Sequence, residues 1–551
     1  MTLPIRPHPI KSELLMPAGS LHKLKLAILY GADAVYLGTP DMSLRTKSAF
    51  TLDDVIEGVE YAHSFGKRVY LTLNLFSHNK DIEKLPFYLE TVRKVKPDGV
   101  IIADPGIFGF VKEMAPDLEL HISTQANICS WLSVDFWKKQ GASLCVMARE
   151  VSFPELAEIR EKCPDIKLET FVHGAMCMTY SGRCLLSNYM AERGANQGNC
   201  ANSCRWNYKV HVRLKDGRSE EVTITDENRD MFEFLLEEGE RPNEFLPIEE
   251  DERGSYILNS KDLCIMPRLD DYLKIGVDSL KVEGRGKSPY YVALVARAYR
   301  MAIDDWYADP DNWSPKAYMD ELHTVPNRGY TYAFHEGRLT HHAHNYEDTR
   351  TLAEWEYAGL IKSVEEDAIL VEVKNTVEAG DVLEFVPHVG RDTLLLRIYE
   401  FDLPEKNKVT TIVHGGQKPL IRIPFALFDR EDTAHLRTIL RPLTIIRKEK
   451  PMLPEEWSRI KLDLEAQKIE LGKGSDARYE TKLENLQKAL DAGKSTRKSK
   501  TPRIGTEGCC GKGCNGCMIF WNDPTYAKAR DLLAQKKQGE MFEKDMRELS
   551  E

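Results

Sequence analysis

The sequence predicts an α/β fold: a TIM-like (β/α)8 barrel, then a small antiparallel β-barrel domain, then a C-terminal helical and cysteine-rich tail. Over residues 13–285, short β-branched or apolar runs alternate with amphipathic helical stretches, which is typical of a parallel sheet covered on both faces. After about residue 350 the hydrophobic period changes to 2, which indicates antiparallel strands. The chain ends in a segment crowded with cysteine and glycine.

Eight apolar runs account for the barrel. Eight strand–helix units in about 280 residues fit a (β/α)8 barrel, and an open doubly wound sheet is the alternative. Glycine is typical of the position where a helix ends before the next strand. The glycines at such positions are Gly31, Gly66, Gly141 and Gly276. The runs are residues 13–17, 34–38, 68–74, 99–104, 120–125, 144–150, 168–174 and 279–285.

Polar residues follow the carboxyl ends of these runs, and barrel enzymes place their active sites at that end. They are Asn74, Asp104, Gln125, Asn127, Arg149, Glu150, His173, Lys281, Glu283 and Arg285. Asp104 and Glu150 are the two residues best explained as caps of strand ends or as partners of other polar residues in this set. The catalytic candidates are Arg149, His173, Lys281, Glu283 and Arg285, among which the sequence selects no general base; Asn74 and Gln125 are candidates for substrate binding.

The composition is that of a globular protein, with 42% hydrophobic and 29% charged residues. The formal net charge of −11 means that a nucleic-acid partner needs a local basic patch. The first 20 residues lack the apolar core of a secretory signal, and no run of 18 apolar residues occurs. We therefore expect a cytoplasmic protein that does not cross a membrane.

These patterns divide the chain into five segments. They are a barrel over 10–345 with an acidic rim insertion at 209–256, a β-barrel domain of six strands over 350–445, a helical pair at 453–492, a basic linker at 493–504 and the cysteine-rich tail at 505–551.

Four of the 12 cysteines, Cys177, Cys184, Cys200 and Cys204, lie close together just past the seventh run. In a reducing compartment such a group indicates metal ligands. Structural zinc sites use pairs of closely spaced cysteines, so the irregular C-x6-C-x15-C-x3-C spacing suits an iron–sulfur cluster better. Cys264 is an alternative to Cys204 as the fourth ligand.

A second group, Cys509, Cys510, Cys514 and Cys517, lies in the tail. Its tight spacing indicates a second metal site, either zinc or iron–sulfur. Adjacent Cys509 and Cys510 are awkward ligands for one ion, so three of the four with another group is also an option.

Other catalytic classes have less support. HExxH, GxSxG, GxxxxGK[ST] and a strand-linked GxGxxG are absent from the sequence. A cysteine peptidase built on His173 and Cys177 is one rival interpretation. A non-catalytic iron–sulfur scaffold is the other, and the polar strand ends count against it.

Long motifs within residues 10–440 resemble the collagenase-like peptidase family of unknown catalytic type. They include ELLMPAGS, GADAVYLG, FVHGAMCMTYSGRCLLSNY, NQGNCANSCRWNY and SLKVEGRGKSPYYVALVARAYR. MSLR (42–45) and RGYTYAF (328–334) are similar to the branch of that family that hydroxylates tRNA uridine in a prephenate-dependent reaction.

The resemblance implies a 4Fe–4S protein, loaded by the iron–sulfur assembly machinery, that makes 5-hydroxyuridine at the tRNA wobble position. It implies prephenate as an oxygen-independent hydroxyl source, while other members act on ribosomal RNA or a ubiquinone precursor. Motif by motif, it assigns Cys177, Cys184 and Cys200 to the cluster, with Cys204 or Cys264 as the fourth ligand. The cysteine-rich tail departs from the shorter tRNA members.

Cationic and aromatic side chains near the cysteines suit such substrates. Arginine forks bind carboxylates and phosphates, and aromatic rings stack on bases, although each ring is also a natural core residue. The additional substrate-binding candidates are Arg45, Arg183, Arg205, Trp206 and Tyr208.

Overall fold

A computed structural model describes residues 11–38, 50–74, 77–176, 260–337, 343, 353–428 and 432–450, together with the backbone of five short strands between residues 211 and 256. All of these belong to one compact unit, Met1–Gln487. The predicted helical pair, basic linker and cysteine-rich tail lie outside the described residues.

Eight parallel strands form the barrel. They are β1 (Glu13–Pro17), β2 (Ala34–Gly38), β3 (Arg68–Leu73), β4 (Gly99–Ile102), β5 (Glu119–Ile122), β6 (Leu144–Val146), β7 (Lys167–Ala175) and β8 (Ser279–Val282). Each strand pairs with the next, and β8 pairs with both β7 and β1, so the sheet closes on itself. The predicted barrel is confirmed, and the open sheet is excluded.

Helices cover the outside of the barrel. Their ends follow ordinary capping chemistry: the Asp104 carboxylate accepts from the backbone N–H of Gly106 at 2.8 Å and of Ile107 at 3.0 Å. The four predicted C-cap glycines all have positive φ, between 66° and 111°. The helices are Leu21–Leu29, Leu52–Ser64, Asn79–Ile82, Leu85–Val95, Pro105–Met114, Trp131–Gln140, Phe153–Lys162, Leu269–Lys274, Pro289–Ala308 and Lys316–His323.

Two short strands extend the barrel sheet beside β7. Strand Asp262–Cys264 runs antiparallel to the end of β7. Strand Tyr330–Thr331 pairs in parallel with Asp262–Cys264. Within the predicted rim insertion, strand His211–Arg213 pairs with Ser219–Glu221, and Phe245–Asp251 pairs with both Phe234–Glu237 and Gly254–Tyr256. In the described residues no helix is both long and apolar enough to cross a membrane.

The second domain is a curled antiparallel sheet with eight strands and a short helix, Thr433–Ile439. Six strands were expected. Two more are present because the predicted run 393–401 forms two strands and because the charged strand Ile445–Glu449 was not predicted. In spatial order the strands are Leu394–Arg397, Val382–Val386, Ile445–Glu449, Trp355–Val364, Ala368–Val373, Leu420–Pro424, Phe401–Leu403 and Lys408–Thr410. Val377–Glu378 and Ile412–Val413 form a separate pair.

Buried polar contacts join this domain to the barrel. The Tyr30 hydroxyl, at the end of helix Leu21–Leu29, donates to the Val386 carbonyl at 2.7 Å and accepts from the Ile445 N–H at 2.8 Å. The Arg447 guanidinium contacts Glu384 at 3.0 Å in its own sheet and Glu321 at 3.2 Å beside the barrel. The second domain is therefore fixed against the barrel by charge as well as by apolar packing.

Candidate active site at the barrel mouth

Side chains from non-neighbouring strands meet inside the barrel, which shows that they point inward. The Tyr70 ring on β3 lies 4.6 Å from the His121 ring on β5, and Asn74 donates through Nδ2 to Ser123 Oγ at 3.3 Å. Because side chains alternate along a strand, one polar ladder runs along each of β3 and β5 and ends at Asn74 and Gln125. These two amides lie at the carboxyl end, as predicted.

Two side-chain carbonyl oxygens in this layer have no hydrogen-bond donor among the described residues. Asn74 Oδ1 and Gln125 Oε1 are buried, and no hydrogen bond reaches either of them from the part of the chain that the structure describes. A buried acceptor without a donor is unfavourable. These oxygens are therefore candidate acceptors for N–H or O–H groups of a ligand.

Two arginines at the same end lie over aromatic rings. The Arg149 guanidinium is 3.9 Å from the centre of the Phe171 ring. Arg285 lies 5.9 Å from the centre of the Tyr36 ring and donates to Thr72 Oγ1 at 3.0 Å. Planar guanidinium groups pair with planar anions, so both arginines are candidates for carboxylate or phosphate recognition, and each also has a further interaction in the structure.

Lys281 lies deeper than the arginines. Its ammonium group is 2.6 Å from Glu169 Oε1 and 4.6 Å from the centre of the Tyr36 ring, and the residue is only 4% exposed. Lys281 was predicted at the carboxyl end of its run, and the structure places its ammonium group inside the barrel, already paired with Glu169.

A buried carboxyl group that sequence reasoning missed continues this network. The Ser279 hydroxyl lies 2.9 Å from Glu169 Oε2 and 3.1 Å from Glu13 Oε1, and Tyr70 donates to Glu13 Oε2 at 3.0 Å. Burial raises the pKa of Glu13 to about 7, with Arg68 opposing this rise. The available signal was a charged residue at the start of an otherwise apolar strand.

His173 lies in an aromatic enclosure formed by Tyr291, Tyr299 and Tyr330, with ring centres 5.4 to 5.8 Å away. The residue is 1% exposed, and burial lowers its pKa to about 3, so the imidazole is neutral. This placement favours a structural role for His173 over general-base catalysis.

Glu283 stabilises the chain where β7 ends. Its carboxylate accepts from the Ala175 N–H at 3.3 Å. Gly174 has φ +119°, and a Cβ there would lie 2.7 Å from the Glu283 carbonyl oxygen, so the close approach requires glycine. The sequence continues directly from this junction into Cys177.

The remaining predicted site residues fall into three groups. Glu150 and Asn127 follow β6 and β5, and each has an interaction partner in the structure. Cys264 pairs in register with His173, and burial raises the pKa of its thiol to about 12. Outside the described residues lie Arg45, Arg183, Arg205, Trp206, Tyr208, Cys177, Cys184, Cys200, Cys204, Cys509, Cys510, Cys514 and Cys517.

The described residues show no metal-binding group. The described residues contain no group of three or more His, Cys, Asp or Glu side chains arranged to hold an ion. Since both predicted cysteine groups lie outside these residues, the predicted metal centres stay predictions.

Comparison with known proteins identifies the family. The pattern of peptidase family U32 matches residues 19–345. The chain belongs to this family. It is 39% identical over 406 residues to the tRNA hydroxylation protein P of Haemophilus influenzae, covering 69% of this chain and 86% of that protein. The protein of the same name from Escherichia coli is 38% identical over 413 residues, with coverage of 71% and 89%.

One similar protein is named for proteolysis and not for tRNA hydroxylation. The Collagenase of Porphyromonas gingivalis is 30% identical over 348 residues, covering 61% of this chain and 76% of that protein. The U32 family thus includes proteins named for tRNA hydroxylation and for proteolysis. The expected resemblance to the collagenase-like family is confirmed.

Proposed function

We propose that this U32 protein is a tRNA-modifying enzyme that hydroxylates wobble uridine to 5-hydroxyuridine. The observation that carries the proposal is the similarity to two proteins named tRNA hydroxylation protein P, which extends over more than two thirds of this chain. The barrel mouth is compatible with it, because arginines and amides at the strand ends offer groups for an anion and for a base edge.

We further propose that Cys177, Cys184, Cys200 and Cys204 hold a 4Fe–4S cluster, with Cys264 as the alternative fourth ligand. The donor set fits, because an all-thiolate group with irregular spacing suits such a cluster. In sequence, Cys177 follows two residues after β7, at the carboxyl end where barrel sites form. A bound cluster would supply redox or Lewis-acid chemistry.

The tail cysteines are proposed as a second site, for another iron–sulfur cluster or zinc. Their ligand set is Cys509, Cys510, Cys514 and Cys517, or three of these with another group. Loading at either site makes the iron–sulfur assembly machinery a partner. The cytoplasm, which supplies both that machinery and tRNA, is the proposed location.

Prephenate, a dicarboxylate, is the proposed oxygen-independent source of the hydroxyl group. Arg149 and Arg285 suit its carboxylates, since each guanidinium is oriented by an aromatic ring and arginine pairs with carboxylates in a two-pronged geometry. Lys281 below them contributes positive charge, although Glu169 offsets part of it. These residues bind and orient the donor in the proposal.

The RNA requires local features, because the chain as a whole carries a net charge of −11. Arg45, Arg183 and Arg205 are proposed to contact phosphates, and Trp206 and Tyr208 to stack on the base. Hydroxylation of ribosomal RNA or of a ubiquinone precursor is the alternative within the same family.

Peptidase activity is the second candidate, favoured by the relative named Collagenase. It requires a base for the nucleophile, and His173 is enclosed by aromatic rings and is a weak base, because burial lowers its pKa to about 3. The geometry of the described residues therefore supports this candidate less than it supports hydroxylation. A gelatin-cleavage assay with the purified protein tests it directly.

The deciding experiment measures 5-hydroxyuridine in tRNA by nucleoside mass spectrometry. A strain lacking the gene is complemented with the wild type, with Cys184→Ala, or with Cys145→Ala, whose thiol is a buried core residue. We expect loss of 5-hydroxyuridine only with Cys184→Ala, together with loss of about four irons per chain. Modification that survives in Cys184→Ala overturns the cluster proposal, and absence of modification with the wild type overturns the hydroxylase proposal.

A further inference from the structure

Gln125 has an unusual environment for a buried amide. It lies in a single turn, Thr124–Ala126, directly after β5, and is only 9% exposed. The turn is fixed at both ends: Ser123 Oγ accepts from the Gln125 backbone N–H at 3.2 Å, and Asn127 ends it in a left-handed conformation. The backbone thus holds Gln125 at the mouth, while its side-chain oxygen has no partner in the described chain.

Asn74 repeats this arrangement from the other side of the barrel interior. Its Nδ2 donates to the same Ser123 hydroxyl at 3.3 Å, which directs the amide, and its Oδ1 is buried without a donor. One serine hydroxyl therefore accepts from the Asn74 side-chain amide at the end of β3 and from the Gln125 backbone after β5, which brings the two residues together at the mouth. Both residues are neutral, whereas the arginines nearby serve anions. The amide pair is suited to an uncharged polar edge.

The chemistry of an amide defines that edge. A glutamine side chain offers one acceptor and one adjacent donor, so it pairs fully with a group that presents N–H beside C=O. A cyclic imide such as the N3–H and flanking carbonyls of uracil has this pattern. A carboxylate offers no N–H donor. The ligand group expected at the two amides therefore differs from the anion expected at the arginines.

We propose that Gln125, positioned by Ser123 and assisted by Asn74, recognises the imide edge of the substrate uracil. This inference rests on the proposed function, because uridine is the substrate only if the chain hydroxylates tRNA. Gln125 accepts from N3–H and donates to a neighbouring carbonyl, and Asn74 Oδ1 takes a second donor from the substrate or from a bound water. The two amides are specificity determinants and take no part in bond cleavage.

The test compares two anticodon stem-loops that differ by one methyl group on the target base. One carries uridine and the other 3-methyluridine, in which N–CH3 replaces N3–H and removes the donor while both carbonyls are kept. Holoenzyme with prephenate is assayed for kcat/KM on each, and dissociation constants are measured for the same two RNAs. The variant is Gln125→Met, which keeps the side-chain length. Gln140→Met, an exposed amide at the end of helix Trp131–Gln140, is the matched control.

Wild type and Gln140→Met should prefer uridine over 3-methyluridine by roughly tenfold or more, because a site built around a donor rejects an analogue without it. In Gln125→Met the preference should fall to about twofold or less, with iron content and melting temperature unchanged. Equal discrimination by Gln125→Met and wild type overturns the inference about Gln125. Failure of the wild type to modify the uridine stem-loop instead overturns the proposed function, on which the inference depends.

Discussion

The carboxyl groups of Glu13 and Glu169 are bridged inside the barrel by a single hydroxyl, with Ser279 Oγ 3.1 Å from Glu13 Oε1 and 2.9 Å from Glu169 Oε2. A hydroxyl has one proton and can donate to only one of them. The other contact is favourable only if that carboxyl is itself protonated. Glu169 pairs with the buried Lys281 and Glu13 with the more exposed Arg68. Because burial raises the pKa of Glu13 to about 7, Glu13 is the group that takes up the proton as the pH falls below that value.

This proton makes stability depend on pH. Burial raises the pKa of Glu13 from 4.5 to about 7, so between these values the folded chain binds more protons than the unfolded chain. The stabilisation by neutral Glu13 is complete below pH 4.5 and is lost as pH rises through 7. For Glu13→Gln, we expect the free energy of unfolding relative to wild type to increase by up to about 3 kcal/mol from pH 4.5 to 8.

Denaturant unfolding of both proteins at several pH values measures this difference. Glu83→Gln, at an exposed position, is the control and should follow the wild-type profile. A Glu13→Gln profile parallel to wild type would show that Glu13 is ionised in the folded state.

The Lys281–Glu169 pair should be strongly coupled. Lys281→Met leaves the fully buried Glu169 carboxylate without its cation, which we expect to cost roughly 3–5 kcal/mol of unfolding free energy. Adding Glu169→Gln removes the uncompensated charge and should recover more than half of that loss. A double-mutant cycle by denaturant unfolding measures the coupling, and additive effects would contradict the buried pairing.

Much of the barrel was predictable, because local chemistry specifies its elements. Apolar runs gave the strand positions, and glycines such as Gly141 ended helices as expected. Placement of Asn74 and Gln125 at the mouth followed from strand polarity alone. These inferences need only the neighbouring sequence and the rule that carboxyl ends of parallel strands share one edge.

The partners of buried charges could not be predicted, because they come from distant parts of the chain. Glu13 meets Ser279 only when the barrel closes, and nothing near it in sequence indicates the contact. The register shift between Lys281 and Val282, opposite His173, is likewise invisible in the strand pattern. The strand Ile445–Glu449 was missed because Arg447 and Lys448 look solvent-exposed until their carboxylate partners are known.

Arg285 should affect the anionic co-substrate more than the RNA. Arg285→Lys keeps a charge but loses the planar fork and its contact with Thr72. We expect the KM for prephenate to rise about tenfold with little change in kcat at saturation, the signature of lost ground-state binding. Steady-state assays measure both constants, with Arg93→Lys on an exposed helix as the control. An unchanged KM would place the anion site elsewhere.

Arg447 should control the attachment of the second domain. Its guanidinium contacts Glu384 in the sheet and Glu321 beside the barrel, and all three residues are buried. Arg447→Met leaves Glu384 without its cation and leaves Glu321 paired only with Arg297, so we expect a loss of roughly 3–5 kcal/mol in unfolding free energy. Since Glu321 and Glu384 flank the interface, proteolysis between the domains should also accelerate. The exposed Arg437→Met should change neither quantity, and an Arg447→Met protein as stable and as resistant as wild type would show that apolar packing alone holds the domains together.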